Sequence, residues 1–584
     1  MATEQETFAF TILAVDFGTA HTRASLYDVV ENAYRLIGHG WAPTTIQPPY
    51  HEASEGLRHA LHDLQNATGR VILDDAVQLI SPSTNDGRGM DIFVITSSAG
   101  ATVRAVLVGL LPDVSLEVAR QVVRGQYINV LDTFSLGDRR RQEQQIDAVI
   151  AAKPQIIIVV GGTEGGAFDA LNTLVETVAL GCHLMPPTTR ARMLYVGNQA
   201  LAETLSKTLQ NILVFYSAPN ALPEIGAPNL APARGELTKV YEQIRVEQIG
   251  GFGGLVQMSG GRIYPTLQAE GAFGRFASRL PEWPRGVLHV NVGSAYTTTA
   301  AAFNGEAYLD VQTHLGVGIH VMSLLKEPIA EMLRWLPLIA TEDDVREFIW
   351  QKSIHPHTAP AEARDLHLEL ALARACLRVA LRQARAQWPT TLDAPSPEML
   401  PWLSLIIGGG AAVAQAPKPG LGALVLLDAL QPVGLTRLML DPYHAAAALG
   451  ALAAVNPLAV AHLYDSTAMI DLGLSVSVWG GSRINEVLGE ISLAPDGEAE
   501  KTVKVKYGGI EVLPLPIGQM GKLTLKPRAT ANFGFGFGRN KTIPVKGGAL
   551  GVIIDARGRP LVRFKTAEKR QEFGQKWLKA LGAA

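Results

Sequence analysis

The sequence predicts an α/β protein in which one hairpin motif occurs twice, with doubly wound βαβ grammar between the two copies and a β-rich region at the end. Three observations carry this. Two hairpins of the form strand–glycine–hydroxyls–strand begin at Phe8 and Val287, about 275 residues apart between their turns. Between them lies an apolar strand, a glycine loop and a helix, the pattern of a doubly wound sheet. From about Ala468 the chain changes to short alternating runs divided by glycine turns.

The first hairpin reads FAFTILAVDFGTAHTRASL, from Phe8 to Leu26. Phe8 to Val15 has strand length and no helical caps, and Thr22 to Tyr27 alternates with period two. Gly18 in the turn lets the backbone come close to a phosphate, and the turn N–H groups point at its oxygens. Thr19 and Thr22 add hydroxyl donors, and Asp16 is suited to hold magnesium through water. A tight turn with a polar tip is the plainer alternative. Tyr34 to His39 is a third strand, Ala42 to Pro49 a loop and Glu52 to Ala67 a helix. Asp91 to Ser97 and Val103 to Leu111 are strands, and Ser115 caps a helix from Leu116 to Arg124.

Ile156 to Val160 is a run of five β-branched residues, as in a strand buried on both faces. The loop Gly161 to Gly166 follows, then a helix from Phe168 to Leu180, a strand from Met193 to Val196 and a helix from Ala200 to Leu209. This loop lacks both GxGxxG and the lysine of a P-loop, so a plain strand-to-helix turn competes with an anion site. Ser217 to Pro232, with four prolines, is a long loop. The glycine-dense Gly250 to Gly261 is either a hinge between lobes or a set of ordinary turns.

The second hairpin, Gly286 to Phe303, runs through Gly293-Ser294 and the hydroxyls Thr297, Thr298 and Thr299. Glu362 to Trp388 is a long helix. Leu403 to Ile407 is a strand that ends in Gly408-Gly409-Gly410. Asp441-Pro442-Tyr443-His444 leads into a helix from Ala445 to Val455. In the β-rich region, Phe533 to Arg539 is a loop, and a helix from Thr566 to Leu581 closes the chain.

Composition limits the function. The 584 residues carry 51 basic and 54 acidic side chains, a net charge of −3, which gives no reason to expect nucleic acid. Cys182 and Cys376 are distant and in no metal-type spacing, which suits a reducing compartment. Met1 to Thr7 has no basic n-region, and the alanine-rich Ala445 to Leu463 is broken by Asn456-Pro457, so neither a signal peptide nor a membrane span is expected. The expectation is a cytoplasmic protein. His355 and His357 flank Pro356 in a loop and are expected to face solvent.

AVDFGTAHT resembles the first phosphate loop of the actin-like ATPase superfamily, and Gly408-Gly409-Gly410 resembles its adenosine loop. SSAGATVRAVLVGLLPDVSLEVA, KPQIIIVVGGTEGG and LYVGNQ are similar to stretches of one branch, the MutL proteins associated with adenosylcobalamin-dependent glutamate mutase. The resemblance covers about Ile12 to Ala459. It implies two ribonuclease-H-like lobes with ATP or ADP and Mg2+ clamped between them. Residues 1–285 would form the first lobe, with the insertion at about 150–215. Residues 286–465 would form the second, and 466–584 a β-rich C-terminal domain ending in a helix.

By resemblance, Asp16, Gly18, Thr19, Thr22, Gly293, Ser294 and Thr297 bind phosphates, Asp16 holds the metal through water, and Gly408, Gly409 and Gly410 pass beside adenosine. The sequence departs from the family where an aspartate normally opens the second hairpin, since Asn291 stands there. The family pattern is close to DIGGATTDV. Here it is NVGSAYTTT, with Thr298 at a second common aspartate, and Gln312 to Gly316 replaces an acidic run. An amide neither neutralises a cation nor acts as a base. The implied function is an accessory protein that binds nucleotide with weak or lost hydrolysis and acts on a partner such as a cobalamin-dependent mutase. A nucleotide-independent scaffold or self-associating, filament-like protein is the alternative. A small-molecule kinase is the third reading, with Asp310 its nearest candidate base, although a solvated loop acid is the plainer account of that residue.

Overall fold

The computed structural model describes residues 10–166, 169–186, 190–464, 468–481 and 483–584. Met1 to Thr7, Phe8 at the start of the first hairpin, and Phe168 at the start of its helix lie outside the described residues. The chain forms two compact units: residues 1–44, 55–98 and 259–584, and residues 45–54 and 99–258.

The first unit opens with β1 (Ile12–Phe17), β2 (His21–Val30), β3 (Ala33–Pro43) and β4 (Ile92–Ser97). Both β1 and β4 are buried along their whole length, as their apolar runs require. The first three strands are a meander, and β4 lies parallel to β1.

The second unit is a five-stranded, all-parallel sheet. Its strands are β5 (Val103–Gly109), β6 (Ile128–Phe134), β7 (Ile156–Val160), β8 (Arg192–Tyr195) and β9 (Val214–Ser217), in the order β6-β5-β7-β8-β9. Renumbered within the unit this is 2-1-3-4-5, the flavodoxin-like doubly wound order. The β-branched β7 is central and buried throughout. The Ser217 to Pro232 loop is shorter than the prolines suggest. A helix starts at Leu230 and runs to Gln248, and Pro232 sits in its first turn, where a missing N–H costs no helical bond. The Gly250 to Gly261 stretch holds a short helix, Phe252–Met258.

Back in the first unit, β10 (Ile263–Pro265) pairs parallel with β4 and completes the order β10-β4-β1-β2-β3. The second sheet begins with β11 (Val287–Val292), β12 (Thr297–Phe303), β13 (Glu306–Gln312), β14 (Leu405–Gly409) and β15 (Gly434–Asp441). The order β13-β12-β11-β14-β15 reproduces that of the first sheet, with the same pattern of antiparallel and parallel pairs. Two meanders, each followed by two parallel strands, are the duplicated ribonuclease-H-like sheets of the actin-like fold.

The remaining strands are β16 (Ile470–Ser477), β17 (Val487–Pro495), β18 (Lys501–Lys506), β19 (Ile510–Leu513), β20 (Met520–Pro527), β21 (Lys541–Lys546) and β22 (Gly551–Asp555). Of these, β16, β22 and β19 extend the second sheet past β15, while β18-β17-β20-β21 form a four-stranded sheet. A shared core that includes Val476, Ile554, Ile491, Leu493 and Leu525 fills the space between the two. On the outward side of the four-stranded sheet lie the exposed Lys504, Lys506, Lys522, Lys526 and Lys546. Glu490, paired in register with Lys504 and Lys526, is the acid among them.

The alanine-rich helix Ala445–Leu452 is buried along its length and packs with residues of both ribonuclease-H-like sheets, among them Ile12, Val94, Leu405 and Ile407. Small side chains permit this approach: a Cβ at Gly450 would overlap the Ala269 carbonyl of the helix Thr266–Ala277. No helix among the described residues is long and apolar enough to cross a membrane.

Candidate functional site

Strand register builds the site. Asp16 is the fifth residue of β1, and its pairing partners are Arg23 on β2 and Thr96 on β4. Asn291 is the fifth residue of β11, and its partners are Thr298 on β12 and Gly409 on β14. The two positions are therefore equivalent in the two sheets.

Around Asp16 the polar contacts are specific. Thr96 Oγ1 and Thr266 Oγ1 donate to Asp16 Oδ1 at 2.8 and 3.0 Å. Asp16 Oδ2 is buried without a hydrogen-bond partner, with His444 Nδ1 at 3.4 Å and Arg23 NH1 at 3.7 Å. Thr22 Oγ1 is also buried and unpartnered, and Thr19 is buried. The Gly18 N–H donates across the turn to the His21 carbonyl. A Cβ on Gly18 would crowd that carbonyl, and the Arg23 guanidinium lies beside the same point.

The second hairpin is closed in a similar way. The Gly293 N–H donates to the Tyr296 carbonyl. Thr297 Oγ1 donates to the Leu315 carbonyl at 2.9 Å, and Ser294 Oγ accepts the Ile319 N–H at 3.2 Å. Thr297 is thus held by the segment after β13, while Ser294 keeps its own O–H as a donor. Gly409 faces Asn291 and His289, and Gly410, at φ +85°, passes so close to Val292 that no side chain fits. Gly408 points elsewhere: a Cβ there would meet the core residues Leu426 and Val413.

The charged groups that join the two hairpins are ones that sequence reasoning missed. Glu270, on the helix Thr266–Ala277, accepts from Asn291 Nδ2 at 3.1 Å and from Thr298 Oγ1 at 3.4 Å. His289, only 2% exposed, has Nδ1 at 3.5 Å from Glu270 and Nε2 at 3.8 Å from Asp441. These distances are those of ion pairs without aligned hydrogen bonds. Asp441 also accepts the N–H groups of Ala445 and Ala446, so it caps the helix that follows. His444, three residues on, reaches Asp16. The turn Asp441–His444 therefore links the first hairpin to the second. The one sequence signal for it was DPYH ahead of an alanine-rich helix.

Burial opposes charge on His289, but Glu270 and then Asp441 outweigh it and raise its pKa above the usual histidine value. Burial likewise opposes ionisation of Glu270, and His289 with Asn291 brings its pKa below the usual carboxylate value. His444 is pushed down, by burial first and then by Arg23. The His289 contribution to stability is fully present below the unfolded pKa of 6.5 and is lost as pH rises through the raised folded value. That of Glu270 is present above 4.5 and is lost as pH falls through the lowered one. The wild-type melting temperature should decline on the alkaline side of pH 6.5, and His289→Gln should remove that decline. Melting curves across pH 5 to 9 measure this.

Asp310 is on β13 and buried, not a solvated loop acid, and it accepts from Gln312 Nε2 and Gln387 Nε2. His355 and His357 are both exposed. No group of three or more His, Cys, Asp or Glu side chains among the described residues is placed to hold a metal directly.

A family profile described as "MutL protein" matches residues 12–468. Protein MutL of Clostridium tetanomorphum is 22% identical over 214 residues, which are 36% of this chain and 44% of that protein. The match therefore spans less than half the length of that curated relative. Among solved structures, nucleotide-free acetone carboxylase is 11% identical with a TM-score of 0.32, over 76% of this chain and 70% of that one. Component A of (R)-2-hydroxyglutaryl-CoA dehydratase from Acidaminococcus fermentans is 7% identical with a TM-score of 0.26, over 76% and 95%. A glycerol dehydratase reactivase is 10% identical with a TM-score of 0.26, over 71% and 94%. At such scores it is the strand orders that define the fold.

Proposed function

Given that the chain belongs to the MutL family, we propose that it is a nucleotide-binding accessory protein with weak or no ATP hydrolysis that acts on a partner protein. The observation that carries this is the turn Asp441–His444, which reaches Asp16 from one end and His289 from the other. Two glycine hairpins in equivalent places of two duplicated sheets thereby flank one polar centre. ATP or ADP with magnesium fits the groups present. The unpartnered Asp16 Oδ2 is an acceptor for metal-bound water, and Thr22 Oγ1, the Ser294 hydroxyl and Arg23 are donors for phosphate oxygens. Bound magnesium would neutralise phosphate charge. Gly409 and Gly410 would leave the backbone bare beside the base.

Weak hydrolysis follows from Asn291. Its amide is tied to Glu270, and Glu270 is held ionised by His289, so neither offers a free base to an attacking water. Nucleotide would act by favouring one lobe arrangement over another. The partner we infer is a cobalamin-dependent mutase. The lysine face of the four-stranded sheet suits an acidic surface on it, with binding that weakens as salt rises.

The competing scaffold reading gains support from the Gly18 and Gly293 N–H groups, which already serve loop carbonyls. Calorimetric titration separates the two. Micromolar binding of Mg-ATP or Mg-ADP that Asp16→Ala abolishes is the expected result. Neither heat nor a thermal shift at millimolar nucleotide would overturn the nucleotide reading and leave the scaffold.

A further inference from the structure

The second lobe holds a pocket to which none of the hairpin residues contributes. It is lined by the helices Ala363–Arg385, Pro419–Leu430 and Ala567–Ala580 and by the segment 334–337. Its polar lining is Arg334, His367, Arg374, Asp428 and Arg570, and Trp335 and Trp577 wall it.

Behind it runs a chain of buried charges. Arg374 Nε donates to Asp428 Oδ2 at 2.7 Å, and Arg557 NH1 donates to Asp428 Oδ1 at 2.6 Å. Arg557 Nε and NH2 donate to Asp555, as does Arg559 NH2. All five side chains are more than nine-tenths buried. Three guanidiniums face two carboxylates, which leaves one buried positive charge without a counter-ion. Such a charge is costly unless something compensates it.

Within this cluster it is Arg374 that carries free donors. Arg557 commits all three of its nitrogens to the two aspartates. Arg559 gives its other two to the Pro432 and Gly558 carbonyls. Arg374, 3% exposed, commits only Nε, and among the described residues its two terminal nitrogens have no partner. Close by, Arg570 Nε and Trp335 Nε1 are buried and unpartnered. Asp428 does not repel an anion here, because each of its oxygens is held by a guanidinium. His367, brought down to about 4 by burial and then by Arg374, is neutral at pH 7 and has a ring N–H to donate.

We propose that this pocket binds a small oxyanion, a phosphate or a carboxylate group, held by Arg374 and Arg570. Arg374 sits on the long helix and Arg570 on the last one, so the anion fastens the terminal helix to the lobe. The close packing of Gly574 against Pro337 sets the pocket's small size.

The probes are inorganic phosphate and acetate, each titrated into the full chain at constant ionic strength with chloride as the control. Saturable quenching of tryptophan fluorescence by one of them, with slower amide exchange over residues 567–580, is expected. Which probe saturates identifies the source. Arg570→Gln should weaken that binding about tenfold or more, the loss of a charge-assisted contact. Arg374→Lys should weaken it while keeping the charge and the fold, and both variants should keep the wild-type response to Mg-ATP. The proposal fails if neither anion differs from chloride, in which case water fills the pocket. It also fails if the response is unchanged in both variants.

Discussion

Arg557→Met should lower stability by about 3–5 kcal/mol, the range for removing one partner from a buried ion network. Arg557 is among the largest fully buried side chains, and it holds Asp428 and Asp555 at once while packing 4.6 Å from the Trp577 ring centre. Methionine keeps much of the volume but leaves two carboxylates facing an apolar core. Asp428 keeps Arg374 and Asp555 keeps Arg559, so the loss stays short of total. Asp555 is normally well below the usual carboxylate range: burial opposes this, but Arg557 and Arg559 prevail. Its stabilising contribution is present above the unfolded pKa of 3.8 and is lost as pH falls through the depressed folded value. The Met variant should therefore differ most from wild type near neutral pH and less toward pH 3, in melting curves measured at both. Adding Asp555→Asn should recover part of the loss, because the coupled pair no longer leaves a charge exposed to the core.

These charged residues explain where sequence reasoning stopped. Ile12–Val15 of β1 and the whole of β7 are uninterrupted apolar or β-branched runs, and β11 stays apolar apart from His289 and Asn291, so a short window finds them. The strand β6 was missed because Asn129, Asp132 and Thr133 break its apolar pattern, and the helix Leu230–Gln248 was hidden by prolines at its start. The duplicated topology was readable because each glycine turn follows an apolar run. The centre between the hairpins was not. Glu270, His289 and Asp441 each look like isolated polar residues in sequence. They are buried together because a helix, the strand that follows it and a turn much later in the chain meet. Arg557 and Asp428 are 129 residues apart, and nothing local to either predicts that it will lie in a core. Thr297 and Gly408 show the converse. Their residue types suit a nucleotide loop, yet Thr297 ties down a backbone segment and Gly408 makes room for Leu426.

Asn291→Asp tests whether the second hairpin can be returned to the family pattern, and here it should fail. Asn291 Nδ2 donates to Glu270 Oε1 at 3.1 Å, so aspartate would place an acceptor where a donor is needed, beside a carboxylate more than nine-tenths buried. Two carboxylates at that separation do not both ionise, and one must take a proton. The folded pKa of that pair rises above its unfolded value. The variant should therefore lose about 2–4 kcal/mol near pH 8 and recover toward pH 5, as protonation lets one acid donate to the other. Mg-ATP hydrolysis should not rise above wild type, because the added acid is held by its neighbour and does not orient water. Asn291→Asp with Glu270→Gln restores one donor and one acceptor in swapped places. It should recover most of the stability at pH 8, and it would turn the new carboxylate into the partner of His289. If the double variant then hydrolyses ATP where the single one does not, Glu270 is the residue that holds the hairpin silent. If the single variant is as stable as wild type at pH 8, the Asn291–Glu270 contact is not part of the working site.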